Sequence, residues 1–377
     1  MKIKASKVLT QAGFLENREV TVEDGVIREI APCSAACADA FILAYGYFDT
    51  HTHGSAGFDT LNPGEEALAR YLLIQASHGV TDVLLTTSCA SKENLKNSVR
   101  FIRNAMKKQK AGSLKGAVIR GIHLEGPFLN PKRLGTMVEE HITSPSLDTL
   151  FELADGTLDD IRIITIAPEM PGAELLSRAL QKHGVCVQMG HSDASYEEAE
   201  NAFKNGFSSL CHTFNACRPI HHRAPGPIAF ALTEKSMYAE VICDFQHLHP
   251  GTVKLIGRLK LPDRLCLISD SVKGLDMPDG TYVDSLGKTT VVKGGVIRSD
   301  AGSLDGGTCY LDASVKNLFS LIHDYESAVA CANRVPAERI GFHRQLGTVD
   351  TGKEANLIFL DESLNVQKTI IGGNVFG

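Results

Sequence analysis

No run of apolar residues in this chain approaches the roughly twenty that a membrane helix needs, so a bilayer-spanning protein is not expected. The opening Met1-Lys2-Ile3-Lys4-Ala5-Ser6 has no apolar stretch of the signal-peptide kind. Excess positive charge is also missing. Against 38 Lys and Arg stand 44 Asp and Glu, a formal net charge of -6, which argues against nucleic acid as the main partner. No long repeat and no low-complexity linker interrupts the chain. Cys33 and Cys37 are not followed by a second close pair, so a zinc ribbon is a poor reading. Cys186, Cys243 and Cys266 lie inside apolar runs and read as buried thiols. Cys211 precedes His212 and is expected to face away from it on a strand. Free thiols without an export signal point to the cytoplasm.

What is present is an ordinary soluble composition, 43% hydrophobic and 22% charged, in 377 residues. Both ends are strand-rich. Arg18–Val22 and Val26–Ile30 flank Glu23-Asp24-Gly25, a hairpin signal, and Ala355–Leu360 with Lys368–Gly373 mirrors them near the far end. Between them, candidate strands end near Asp49, Thr87, Glu125, Ala167, His191, His212, Asp244 and Asp270, each followed by a helical pattern. One helix runs from Glu65 to Ser77, another starts at Ser91, and Ser195-Tyr196-Glu197-Glu198 has the capping-box form. The expectation is an α/β protein: a (β/α)8 TIM barrel over 46–344, with a small β-sandwich domain built from both termini, 1–45 plus 345–377. An open doubly wound sheet would not gather groups from so many strand ends at one point.

Those strand ends carry the chemistry. His51-Thr52-His53 places two imidazoles on one face of a strand, so both can reach one metal ion. Glu125, His191 and His212 add one carboxylate and two imidazoles, a set that leaves a coordination position open for water. A divalent metal there lowers the pKa of a bound water towards about 7. Asp270 closes the eighth strand, where a carboxylate can take the water's proton and pass it to a leaving group. His247 is placed to polarise a substrate carbonyl, while His249 reads as the cap of the next helix. Arg223, in the loop after the sixth strand, suits a phosphate or carboxylate. Gly302-Ser303-Leu304-Asp305-Gly306-Gly307 reads as a flexible loop and matches no phosphate-loop pattern.

The ordered set His51-Thr52-His53-Gly54, His123-Leu124-Glu125-Gly126-Pro127-Phe128, Gly190-His191-Ser192-Asp193-Ala194, His212-Thr213-Phe214-Asn215-Ala216 and Ser269-Asp270 resembles the N-acetylglucosamine-6-phosphate deacetylase family of the amidohydrolase superfamily. The resemblance runs almost end to end. It implies that Glu125, His191 and His212 hold the principal metal, with His51 and His53 matching a pair that binds a second ion in some members. It implies Asp270 as acid–base group and His247 beside the acetyl carbonyl. Asn215, Ala216 and Arg223 would contact the phosphate, and Leu304, Asp305 and Gly306 would line the acetyl and sugar end. The expected cofactor is one or two divalent ions, zinc first, with iron, manganese and cobalt also able to accept this set. The expected partner is a small-molecule amino-sugar phosphate, with no nucleic acid and no membrane, on a homodimer. Three positions depart from the family. Phe245 stands where a Gly is usual, Met137 where a histidine reads sugar hydroxyls, and Asp305 where small residues are usual. The N-acetylgalactosamine form is therefore an alternative substrate. A cyclic-amide hydrolase is disfavoured, because Ala167-Pro168-Glu169 has no metal-bridging lysine. A non-catalytic sugar-phosphate sensor would have lost ligands that are all present here.

Overall fold

The structure, a computed structural model, describes residues 1–34, 38–284 and 286–376. Cys37 lies outside the described residues. Four strands open the chain: β1 (Lys2–Thr10), β2 (Gly13–Glu23), β3 (Val26–Pro32) and β4 (Ala40–Tyr45). Eight barrel strands follow, the first seven each leading into a helix, beginning β5 (Tyr47–Thr52), α1 (Glu65–Ser77), β6 (Val80–Thr87) and α2 (Lys92–Lys110). They continue through β7 (Val118–Glu125), α3 (Leu147–Leu153), β8 (Ile161–Ile166), α4 (Ala173–Gln181), β9 (Cys186–Met189) and α5 (Tyr196–Lys204). The last are β10 (Phe207–Leu210), α6 (Gly226–Thr233), β11 (Tyr238–Ile242), α7 (Pro250–Lys260) and β12 (Leu265–Ile268). After these come β13 (Gly280–Val283), β14 (Thr289–Lys293), β15 (Val296–Ser299), α8 (Leu311–Ile322), α9 (Tyr325–Ala330) and α10 (Arg334–Arg339). The chain returns through β16 (Leu357–Leu360), β17 (Val366–Ile371) and β18 (Asn374–Phe376).

Strands β5 to β12 form one eight-stranded parallel sheet in sequential order. It closes through backbone bonds rather than a regular ladder. The Asp270 N–H donates to the His51 carbonyl at 2.9 Å and the His53 N–H to the Ser271 carbonyl at 2.8 Å. The buried Asp49 carboxylate ties the seam, accepting from the Ser269 N–H at 3.3 Å and from its hydroxyl. Closure therefore sets Asp270 beside His51. The helix limits follow their signals. Ser91 caps α2 through the Asn94 N–H, and Ser195 and Glu198 complete the capping box of α5.

Both termini pair into one seven-stranded sheet, ordered β18-β17-β16-β4-β1-β2-β3. Alternation gives it two jobs. Ile42, Ala44, Ile358 and Leu360 pack with the barrel core, whereas Leu43, Leu357 and Phe359 point the other way, onto Ile3, Val20 and Ile27. The sheet curls to enclose that second core, because Ile27 N–H donates to Lys353 O at 3.0 Å and Ala355 N–H to Gly25 O at 2.8 Å. The hairpin turn holds Asp24 at φ 50 and Gly25 at φ 71, the left-handed pair that a tight two-residue turn needs.

One element was not expected. β13, β14 and β15 form a separate antiparallel sheet between the eighth strand and the Gly-rich run. Its signal lies in Gly294-Gly295, both at positive φ between two β-branched runs. No helix among the described residues is long and apolar enough to cross a membrane.

Candidate metal centre

Site residues cluster where the barrel strands end. β5 runs on through Thr52, so His51 sits in the strand and His53 just past it. Glu125 is the last residue of β7, while His191, His212 and Asp270 each lie two residues past β9, β10 and β12. These three take φ of 46, 21 and 49. A left-handed residue turns its side chain back over the barrel mouth, at a cost that the surrounding structure offsets. Cys211 corrects the expectation of an outward thiol. The chain leaves the strand at Leu210, so Cys211 faces inward, its Sγ 3.7 Å from both Glu125 Oε1 and His51 Nδ1.

The distances bring the predicted ligands together. His212 Nε2 lies 2.9 Å and His191 Nε2 3.2 Å from Glu125 Oε1, and the two Nε2 atoms are 3.2 Å apart. His51 Nε2 lies 3.4 Å from Glu125 Oε1 and 3.3 Å from Asp270 Oδ1. His53 Nε2 lies 3.2 Å from Glu125 Oε2 and 3.4 Å from Asp270 Oδ1. Glu125, His191 and His212 form one group with metal-ligand spacing, and His51, His53 and Asp270 a second.

These donors fit a cation. His191 Nδ1 faces the Arg133 carbonyl at 2.9 Å and must donate to it, which leaves Nε2 as a bare lone pair aimed at a carboxylate. His51 Nδ1 likewise faces the Glu240 carboxylate at 3.1 Å, and its buried Nε2 has no hydrogen-bond partner among the described residues. Lone pairs pointed at carboxylate oxygens repel unless positive charge sits between them. The charges agree. Burial alone would raise the Glu125 carboxyl, but His51, His191 and His212 outweigh it and hold it well below its usual range. Burial would lower His53, yet Asp270 and Glu125 push it up to about 9. For Asp270, burial is outweighed by His51, His53 and His212, which keeps it ionised. A third group, His51, Cys211 and Glu240, has ligand spacing too. There Glu240 is already engaged, with Arg339 at 2.6 Å and the His212 N–H at 3.3 Å, so it acts as a buried support under His51.

Above the cluster opens a cavity of about 330 Å³. Its wall includes His53, Glu125, His191, His212 and Asp270 together with Met137, Asn215, Ala216, His247, Leu304, Asp305 and Gly306. Arg223 does not join them. It is exposed on the His221–Ala224 turn, its Nη1 2.7 Å from His222 Nε2. Met137 is anchored by the Cys89 N–H, which its sulfur accepts at 3.4 Å. Asp305 accepts from the Thr290 hydroxyl at 3.2 Å, which ties it to the small sheet. The Gly-rich run is pinned rather than flexible. The Gly307 N–H donates to Asp270 O at 2.7 Å, and a Cβ at Gly307 would lie 1.9 Å from Ser269 O. His249 caps α7 through the Gly251 N–H, as expected. Sequence reading missed Glu240, Arg339, Asp244 and the wall residues Tyr282, Asp284 and Lys288. The one signal for Glu240 was an acid inside the apolar run Ala239–Cys243.

An eight-stranded parallel barrel with imidazoles and carboxylates gathered at its strand ends defines a class: barrel hydrolases that work around a divalent cation. The comparisons agree. The amidohydrolase family model matches residues 42–376. The N-acetylgalactosamine-6-phosphate deacetylase of Escherichia coli O157:H7 is 32% identical over 99% of this chain and 98% of its own length. The N-acetylglucosamine-6-phosphate deacetylase of Vibrio furnissii is 31% identical over 99% of this chain and 94% of its own. Among solved structures, the N-acetylglucosamine-6-phosphate deacetylase of Thermotoga maritima superposes with a TM-score of 0.90 at 30% identity, covering 100% of this chain and 99% of that one. A variant of the Mycobacterium smegmatis enzyme in complex with N-acetyl-D-glucosamine-6-phosphate gives 0.91 at 27% identity, again covering 100% and 99%. The chain belongs to the amidohydrolase family, within its N-acetylglucosamine-6-phosphate deacetylase group.

Proposed function

We infer that this protein is an N-acetyl amino-sugar 6-phosphate deacetylase. It hydrolyses the acetamide to free the amine and acetate, with N-acetylglucosamine-6-phosphate the first-choice substrate. The observation that carries this is the convergence of Glu125, His191 and His212 on one point, with Asp270 on the same cavity.

Glu125, His191 and His212 would hold the principal ion, and His51 with His53 a second. A divalent cation held there supplies Lewis-acid polarisation and lowers the pKa of water. The remaining steps belong to the chain. Asp270, kept ionised by the surrounding imidazoles, takes a proton as water adds to the acyl carbon. It then delivers that proton to the nitrogen as the C–N bond breaks. His247, on the same wall, donates to the acyl oxygen as it becomes an oxyanion. Asn215 and Ala216 serve the phosphate end, and Leu304, Asp305 and Gly306 the acetyl and sugar end. Arg223, exposed on its loop, is a proposed phosphate contact, and a homodimer the proposed assembly. Zinc is the proposed ion and the cytoplasm the proposed compartment.

A second reading changes the epimer. Met137 cannot donate to a sugar hydroxyl, and Asp305 adds an acceptor to the wall. A galactosamine relative and glucosamine relatives are about equally identical to the chain, at 31% to 32%. Acetate release from the two epimeric 6-phosphates, with metal-loaded protein and Asp270→Asn as the dead control, tests both. Release from neither would end the deacetylase reading. A strong glucosamine preference would end the second.

A further inference from the structure

Asp244 lies two residues past β11, and everything around its carboxylate is a donor. Oδ1 accepts from the Gln246 and His247 N–H groups, each at 2.9 Å. Oδ2 accepts from the Thr308 N–H at 3.1 Å and the Thr308 hydroxyl at 3.0 Å, and faces His247 Nδ1 at 2.8 Å. The side chain is wholly buried. Burial favours the neutral acid, but His247 and these backbone donors outweigh it and hold the group at about 2. An ionised carboxylate only accepts, so His247 Nδ1 carries hydrogen. That leaves Nε2 as the ring's remaining polar atom, on a residue that lines the cavity.

Thr308 follows directly on the run that walls the acetyl end. Its neighbour Gly307 is bonded to the Asp270 carbonyl at 2.7 Å, and Thr308 itself holds Asp244. Two consecutive residues thus join the two acid-bearing strand ends on which the chemistry depends.

We propose that Asp244 and Thr308 are positioning residues that fix the orientation of His247, keep hydrogen on its Nδ1 and lock it to the 304–307 wall. A ring whose Nδ1–H is committed to Asp244 donates from Nε2 only with both nitrogens protonated. The buried Asp244 anion supplies the counter-charge for that state. This inference rests on the deacetylase reading and assigns the residues that make His247 a donor within it.

The test uses the full-length, metal-loaded protein with Asp244→Asn, Thr308→Val, His247→Asn and the Asp244→Asn/His247→Asn double variant. Substrates are the N-acetyl and N-trifluoroacetyl hexosamine 6-phosphates. Asp244→Asn is expected to lower kcat on the order of a hundredfold with KM little changed, and Thr308→Val about tenfold. The double variant should fall no further than His247→Asn alone, because both changes remove one function. The trifluoroacetyl substrate, whose carbonyl needs less help, should recover part of the loss. Nitrogen-15 spectra should show a His247 Nδ1–H in the wild type that Asp244→Asn abolishes and Thr308→Val perturbs. Wild-type kcat in Asp244→Asn, multiplying losses in the double variant, or equal losses on both substrates would overturn the proposal. If Asp244→Asn fails to fold, Thr308→Val decides by the same criteria. If the wild type releases no acetate, the deacetylase reading fails, and the spectra still decide whether Asp244 sets the ring.

Discussion

His191 has a single free nitrogen because the Arg133 carbonyl takes the other, and His51 has one because Glu240 takes the other. Such partners fix a metal-binding imidazole before the ion arrives. They were invisible in the sequence, since Arg133 contributes a backbone atom and Glu240 sits six strands away from His51. The candidate ligand positions were legible, because each follows a short β-like run and the strand period puts His51 and His53 on one face. Asp270→Asn tests the proposed proton carrier. Acetate release should fall between about a hundredfold and ten-thousandfold, with sugar-phosphate binding retained in a calorimetric titration. Loss of binding instead would make Asp270 a structural group. Asp244 gives a pH test. Its folded value of about 2 lies below the 3.8 of an ordinary Asp. A depressed carboxyl stabilises the fold above its unfolded pKa, and that share fades as pH falls towards the folded one. The share is on the order of 2 kcal/mol near neutrality. The stability gap between wild type and Asp244→Asn in urea melts should therefore narrow by roughly 1 kcal/mol from pH 5 to pH 3. A constant gap would show that the carboxylate is not held down.

At the level of elements, strand ends do the positioning and glycines make room for them. A Cβ at Gly190 would lie 2.5 Å from Thr165 Cγ2 and 2.7 Å from Cys211 Cβ. Gly190→Ala must push β9 away from its neighbours and carry His191 out of reach. The expected result is a folded protein with sharply reduced bound metal by elemental analysis. Full metal content would mean that the strands yield without moving the ligand. Ser195→Ala is the counter-example on the barrel exterior. Losing the Ser195 hydroxyl half of the capping box should cost about 1 kcal/mol in thermal or urea melts and leave kcat unchanged. The strand–helix alternations were readable from hydrophobic periodicity, sharpened where a helix carried a cap, as at Ser91 and Ser195. The β13–β15 sheet was not legible beyond its Gly294-Gly295 turn, because its strands are only 4 or 5 residues long and half-exposed. Its Tyr282, Asp284 and Lys288 enclose the cavity, so part of the substrate-reading surface went unread with it.

Over the whole molecule, the barrel closes where the chain is least local. Asp49 and Ser269 meet at the seam, Arg339 of α10 pairs with Glu240 beneath the candidate metal ligands, and the two termini share one sheet. No local pattern encodes such contacts, whereas the overall α/β order followed from hydrophobic periodicity. The cluster is built around positive charge, so metal stabilises the native state by mass action. Chelation should lower the melting temperature and abolish acetate release, and zinc should restore both. The most direct test is anomalous X-ray diffraction at the zinc edge from crystals of the zinc-loaded protein. The account predicts a peak within about 2.0–2.3 Å of Glu125, His191 and His212 side-chain atoms. A peak elsewhere, or none in protein that releases acetate, would contradict it.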